Sequence, residues 1–275
     1  MGREQERVKK RLEKNPIVEC NRIQNKFYPE LFHEFSEVKD SRHQSYIDYS
    51  TRTMLGTMYF KSIGGIESMQ EMTRKFNDEK IVNNIYSFLG EEKKKFLPHG
   101  VTENEFLEKL NPEELENIQK DIAYKMIRRK TFDNARVLKK WQVIIDATEL
   151  DEGFQKKNEF YLSRCYNRGE EGEFTKYHRS ILEAKLYLGN NLVCSIASET
   201  IENAEEYINQ NDEKIKQDCE SKAFVRLAEK IKKRFPKLPI LISAEDYMFH
   251  RRYFRSAKIM GGIISFAIKK AVHLP

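Results

Sequence analysis

The chain has 275 residues and a mass of 32.7 kDa, with 39% hydrophobic and 33% charged residues and a mean hydropathy of −0.72. That length allows one large domain or two of roughly 100–200 residues each. The absence of any apolar run of about 18 residues argues against a membrane-spanning helix. The charged opening MGREQERVKKRLEK lacks the apolar core of a secretory signal. The net charge is +6, and Tyr247–Pro275 carries six basic residues and no acidic one, so the rest of the chain balances at 43 basic and 43 acidic. A basic tail of this kind suits contact with nucleic acid. Cys20, Cys165, Cys194 and Cys219 form no CxxC pair. They read as reduced thiols of a cytoplasmic protein rather than a zinc ribbon.

Residues 1–139 read as a helical region. In KSIGGIESMQEMTRKF and DEKIVNNIYSFLGEEKKKF apolar residues recur at three- and four-residue spacing. Gly64-Gly65 breaks the first, and Asn77-Asp78 ends it and caps the second. Leu97-Pro98-His99-Gly100 is a break. Thr102 with Glu105 spells a capping box for the short helix TENEFLEKL. Asn111 caps the next helix, Pro112 fills its first turn, and Glu113 and Glu114 sit at its positive end. That helix runs to Arg128, Arg129 and Lys130.

At Trp141 the period changes. WQVIIDATEL contains an apolar run of strand length that closes at Asp146. A polar, Gly-containing loop is predicted from Asp151 to about Thr175. YHRSILEAKLYLG and NLVCSIASETI read as strands joined at Gly189-Asn190-Asn191, a hairpin. EKIKQDCESKAFVRLAEKIKKRF reads as one long amphipathic helix stopped by Pro236, and PILISAE as a short buried strand. Three strands, a helix crossover and a fourth strand predict a mixed sheet of the α+β or α/β class.

That order resembles the RNase H-like fold, in which one Asp lies on the first strand and another ends the fourth. Asp146 closes VIID, and Glu245-Asp246 close ILISAED. WQVIIDATEL resembles the first-Asp motif of insertion-sequence transposases of the DDE type, the group typified by insertion sequence four. RSILEAKLYLGNNLVCSIASETIEN, KQDCESKAFVRLAEKIKKRFPKLPILI, MLGTMYFKSIGGIESMQEMTRKFND and LPHGVTENEFLEKLNPEELENI are similar to that group's middle and N-terminal regions, so the resemblance covers roughly residues 50 to 245. It implies DNA transposition: binding of terminal inverted repeats and target DNA, then strand cleavage and transfer by metal-bound carboxylates. Asp146, Glu245 and Asp246 would be the catalytic, Mg²⁺- or Mn²⁺-ligating acids, since hard oxygen donors suit two such ions about 3.5–4 Å apart.

After residue 245 the resemblance stops. The family continues with a Leu-Tyr pair, a Trp-bearing strand and a helix carrying a third acid, whereas SAEDYMFHRRYFRSAKIMGGIISF follows here. A one-nucleotide deletion in codon 245 would account for this, because permitted codons read one frame over restore the Leu-Tyr pair and the Trp. The expectation is an incomplete RNase H-like sheet at 140–246, a truncated or out-of-frame, poorly ordered tail at 247–275 without a fifth strand, and a catalytically defective copy. Insertion of one base there should reopen a long frame with a downstream Glu. Two rival readings stay open: a non-catalytic DNA-binding remnant, and a helical interaction protein. A homodimer also stays open.

Single residues have plainer readings too. Asp146 alone is as well a turn-capping Asp. Glu245 is one methylene longer than Asp, and Asp246 stands one place late, which reverses its facing. Glu199 reads as a solvated acid that could line the site, and Asp218 and Glu220 as surface residues of a charged helix. Arg128, Arg129, Lys130, Arg136, Lys139 and Lys140 suit DNA phosphates or equally a solvated helix end. Tyr124, Phe132 and Trp141 read as core. The histidines show no HExxH or HxxxH spacing and read as incidental.

Overall fold

Residues 16–43, 45, 47–203, 217–244 and 263–264 are described by the computed structural model. Two units divide the chain, Met1–Lys125 and Met126–Pro275.

The first unit is helical: α1 (Pro16–Phe27), α2 (Leu31–Glu37), α3 (Thr51–Ile63), α4 (Met69–Lys75), α5 (Glu79–Leu89), α6 (Gly100–Lys109) and α7 (Pro112–Arg128), the last crossing the division. Side chains cap the helix starts as their sequences suggest. Ser50 accepts from the Thr53 N–H, Ser68 from Glu71, and Asp78 from Lys80 and Ile81. Asn111 Oδ1 accepts from the Glu113 N–H at 3.1 Å. Gly90, at φ 67°, ends α5 in the left-handed conformation.

Phe32 meets Phe35, Tyr59 and Phe88 edge to face at 5.3–5.7 Å. Around this cluster Met54, Met72, Tyr86 and Phe106 are fully buried. The Thr102–Glu105 capping box does not form. α6 begins earlier, at Gly100, with His99 Nδ1 accepting from the Val101 N–H. The reason lies in α4: the Gly100 N–H donates to Thr73 Oγ1 at 3.0 Å, and a Cβ on Gly100 would stand 2.9 Å from the Met69 carbonyl oxygen. Only glycine admits that approach, so tertiary packing sets where the helix starts.

The second unit is a mixed sheet. A short 3₁₀ turn (Lys130–Ala135) leads into β1 (Trp141–Gly153), β2 (Leu162–Tyr166), β3 (Phe174–Tyr187), β4 (Val193–Ile201), α8 (Glu220–Arg234), β5 (Ile240–Ser243) and β6 (Ile263–Ile264). β1 is central: antiparallel to β3 on one side and parallel to β5 on the other, with β6 parallel to β5 beyond. β2 and β4 both pair with the far side of β3, β2 at Phe174–His178 and β4 at Ser180–Tyr187. Alternate residues Trp141, Val143 and Ile145 of β1 and Leu182, Ala184 and Leu186 of β3 are buried on one face. α8 packs on β3 and β4 through Ala223, Phe224, Leu227, Ala228 and Ile231. Each fully buried Leu, Ile or Phe of this layer contributes roughly 1.5–3 kcal/mol.

Four features differ from the sequence reading. β1 runs to Gly153, because its polar half still pairs with Tyr177–Ile181 of β3 through a register shift between Glu149 and Asp151. The loop from Asp151 to Thr175 therefore contains strand at both ends and β2 in the middle. The long helix begins only at Glu220: Gln217 is tied to both the N–H and C=O of Ser163, and the Asp218 N–H donates to Asn203. Lastly, Ile263–Ile264 adds a strand beside β5, where the tail was expected to supply none.

Candidate functional site

The two-residue period of β1 sends Gln142, Ile144, Asp146 and Thr148 to the face opposite α8. Asp146 is exposed in the middle of the strand and does not close it. Its register partner on β3 is Glu183, which in turn pairs with Ser198 of β4, so these three form one row across the open face. In the next row Ile144 stands between Lys185 of β3 and Ser243 of β5. Lys185 Nζ bonds Glu183 Oε2 at 2.9 Å. The Asp146 carboxylate has no hydrogen bond or ion pair with any described residue. Like charges directly opposite on antiparallel strands repel, and the lysine relieves only the Glu183 half.

Glu183 escaped the sequence reading. The alternation in ILEAKLY already puts Glu183 and Lys185 opposite Leu182, Ala184 and Leu186. What the sequence lacked was the register that sets Glu183 against Asp146. Glu245 and Asp246 lie outside the described residues. Among the described residues no three His, Cys, Asp or Glu side chains gather as a metal cluster.

The other acids have structural duties. Glu199 pairs with Leu182 and so faces α8, where Arg226 Nε holds it at 2.7 Å and Lys230 Nζ at 3.2 Å. It is neither solvated nor part of Asp146's row. Asp218 is buried and bound by Arg226 at 2.8 Å, not a surface residue of the helix. These two carboxylates hold the Arg226 guanidinium protonated, Asp218 more strongly.

Among the proposed DNA contacts, Arg128, Lys130 and Lys139 are exposed, and Arg129 and Lys140 half-buried. Arg136 is engaged within the fold: it lies 5.4 Å over the Trp141 ring and donates to the Lys139 carbonyl at 2.8 Å. That bond braces a turn in which Leu138 and Lys139 adopt positive φ, at 50° and 61°. Trp141 is core, as expected, while Tyr124 and Phe132 are only half-buried. His178, read as incidental, is buried, and burial followed by nearby Arg164 lowers its pKa. All four cysteines are free thiols, and burial raises that of Cys194 to about 11. Among the described residues no helix is long and apolar enough to cross a membrane.

No protein-family model matches the chain, and no curated protein matches it. Among solved structures it is similar to a piggyBac transposase synaptic complex with hairpin DNA, determined by cryo-EM, at 12% identity and a TM-score of 0.36. The match covers 95% of this chain and 52% of the other, so the chain spans about half the length of that transposase.

Proposed function

We propose that this chain is a DNA transposase of the DDE type, with an RNase H-like sheet at 140–246 behind a helical, DNA-positioning region at 1–139. The observation that carries the reading is the pairing around β1, which is antiparallel to β3 and parallel to β5, with β4 leading into β5 through the α8 crossover. That is the strand arrangement the sequence resemblance implies. Asp146 stands at its centre with an unpaired carboxylate on the open face.

Glu245 and Asp246, which follow β5 in the sequence, both stay open as its partner acid. β1 and β5 pair in step from Trp141–Ile240 to Ile144–Ser243.

Mg²⁺ or Mn²⁺ suits these donors in kind. Mg²⁺ takes one or two carboxylates together with substrate phosphates rather than an all-protein cage, and a cation relieves the repulsion between Asp146 and Glu183. Asp146 with Glu245, or Asp246 in its stead, would hold the metal. When bound it would activate a water or 3′-hydroxyl and neutralise charge at the leaving oxygen. The chain's own part is positional: β1, paired with β3 at Asp146 itself and with β5 as far as Ile144, would fix Asp146 against the strand ladder. Arg128, Lys130 and Lys139 offer cations to the phosphates of element ends and target.

Calorimetric titration with Mn²⁺ and a cleavage assay on element-end DNA test this. Asp146→Ala should lose Mn²⁺ binding and any metal-dependent nicking while retaining salt-dependent DNA binding. Equal Mn²⁺ affinity and equal nicking in Asp146→Ala would overturn the assignment. DNA binding without any Asp146-dependent metal affinity would leave the non-catalytic remnant in its place.

A further inference from the structure

β4 pairs with β3 alone among the described strands, so its other side is a sheet edge. Such an edge presents backbone donors and acceptors to any extended strand that approaches. Here it is not open. α8 lies across β4, and three of its basic residues, spaced four apart on one helix face, reach the strand's carbonyls. Arg226 Nη2 donates to the Thr200 carbonyl at 2.9 Å, Lys230 Nζ to Ser198 at 2.8 Å, and Arg234 Nη1 to Ile196 at 3.4 Å.

Ser198 and Thr200 alternate along the strand, and Ile196 lies at the register shift opposite Ala184 and Lys185. Acids hold the cations in position. Glu199 binds both Arg226 and Lys230, and Asp218, whose side chain is 7% exposed, binds Arg226. The rotamer freedom these side chains would otherwise lose on meeting the edge is already removed by those pairs.

We propose that Arg226, Lys230 and Arg234 form a strap that closes the β4 edge, and that the partner it excludes is the same edge of a second copy of this chain. An incoming strand must displace three charge-assisted hydrogen bonds and bring its own carbonyls no replacement. Two copies approaching edge to edge also bring two rows of positive charge together. The apolar stripe of α8 and its cationic row thus serve different ends, one covering the sheet's face and the other its edge.

The test is the full-length double variant Lys230→Met/Arg234→Met, which keeps the aliphatic stems against the sheet and leaves Arg226 with its two acids. Sedimentation over a concentration series reads association, and amide exchange reads the N–H groups of Ser198 and Thr200. Association should begin at a concentration roughly tenfold lower than for the unsubstituted chain, with exchange at those amides slowing as concentration rises. A folded double variant that matches the unsubstituted chain in both readings overturns the proposal. If the double variant loses its circular dichroism, Arg234→Met alone carries the same comparison with a smaller shift. Lys230→Arg keeps donor and charge and should leave both readings unchanged. Association of Lys230→Arg like that of the Met variant would also refute the strap.

Discussion

Glu103 is the least comfortable residue of the helical unit. It sits in the first turn of α6 with 0% of its surface exposed, and neither carboxyl oxygen has a hydrogen-bond partner. Arg42 is the one cation that acts on it, but that guanidinium is committed. It forks onto Asp40 at 2.9 and 2.6 Å, donates to the Tyr49 carbonyl at 2.7 Å, and stacks 5.0 Å over Phe106. Burial therefore dominates and raises the Glu103 pKa from 4.5 to about 8, with Arg42 opposing weakly. In the folded unit the group stays protonated through neutral pH, while in the unfolded chain it ionises near 4.5. The stability it allows is complete below pH 4.5 and is lost as pH rises through about 8. Across that window the loss is roughly 1.4 kcal/mol per pH unit, on the order of 5 kcal/mol in all. Glu103→Gln keeps the shape and removes the titration. Urea unfolding followed by circular dichroism at 222 nm, from pH 5 to 8.5, should show the variant's advantage growing with pH. Trp141, the chain's single tryptophan, lies in β1 and reports on the second unit. Parallel pH slopes in the two proteins would refute the argument, because a carboxyl that titrates normally in the fold contributes no slope.

Three further outcomes follow from the packing. Gly100→Ala pushes a methyl group against the Met69 backbone and should destabilise the helical unit by about 1–3 kcal/mol in the same urea assay. Phe224→Ala empties the centre of the α8–sheet layer and should cost about 3–5 kcal/mol, read by Trp141 fluorescence. Asp146→Asn removes one of two like charges facing each other across β1 and β3. In metal-free buffer it should leave stability unchanged or raise it by up to about 1 kcal/mol. A marked loss would mean that Asp146 serves the fold.

What the sequence made legible was mostly local. The Asp78 and Asn111 caps, the turn at Gly189-Asn190-Asn191 and the strand period of LEAKLYL each depend on a few neighbouring residues. The residues at 190 and 191 indeed take φ of 50° and 60°. Legibility failed where a distant partner decided. Thr102 and Glu105 have the right spacing for a cap, yet contact with Met69 and Thr73 starts the helix at Gly100. Asp218 looks like part of a charged helix, but Asn203 and Arg226 hold it in a buried position ahead of the helix. The polar second half of β1 reads as loop by composition, and only the ladder to β3 makes it strand. Glu183 is the instructive case for the site. Its facing follows from alternation, whereas its place opposite Asp146 depends on a pairing register that no local pattern encodes.

Several acids of this unit are matched by cations. Glu199 has two cations, Asp218 has Arg226, Glu183 has Lys185, and Asp151 has both Lys157 and Tyr161. Those pairings lower the Asp151 pKa, the hydrogen bond from Lys157 most of all. Asp146 is given a like charge as its cross-strand neighbour and no cation among the described residues, on the central strand of the sheet. A turn-capping role is excluded by its mid-strand place, and a solvated position would tolerate Asn or Ser without the repulsion. An exposed carboxylate in the strand ladder, opposite a like charge and without a cation among the described residues, is what the proposed metal-anchor reading rests on.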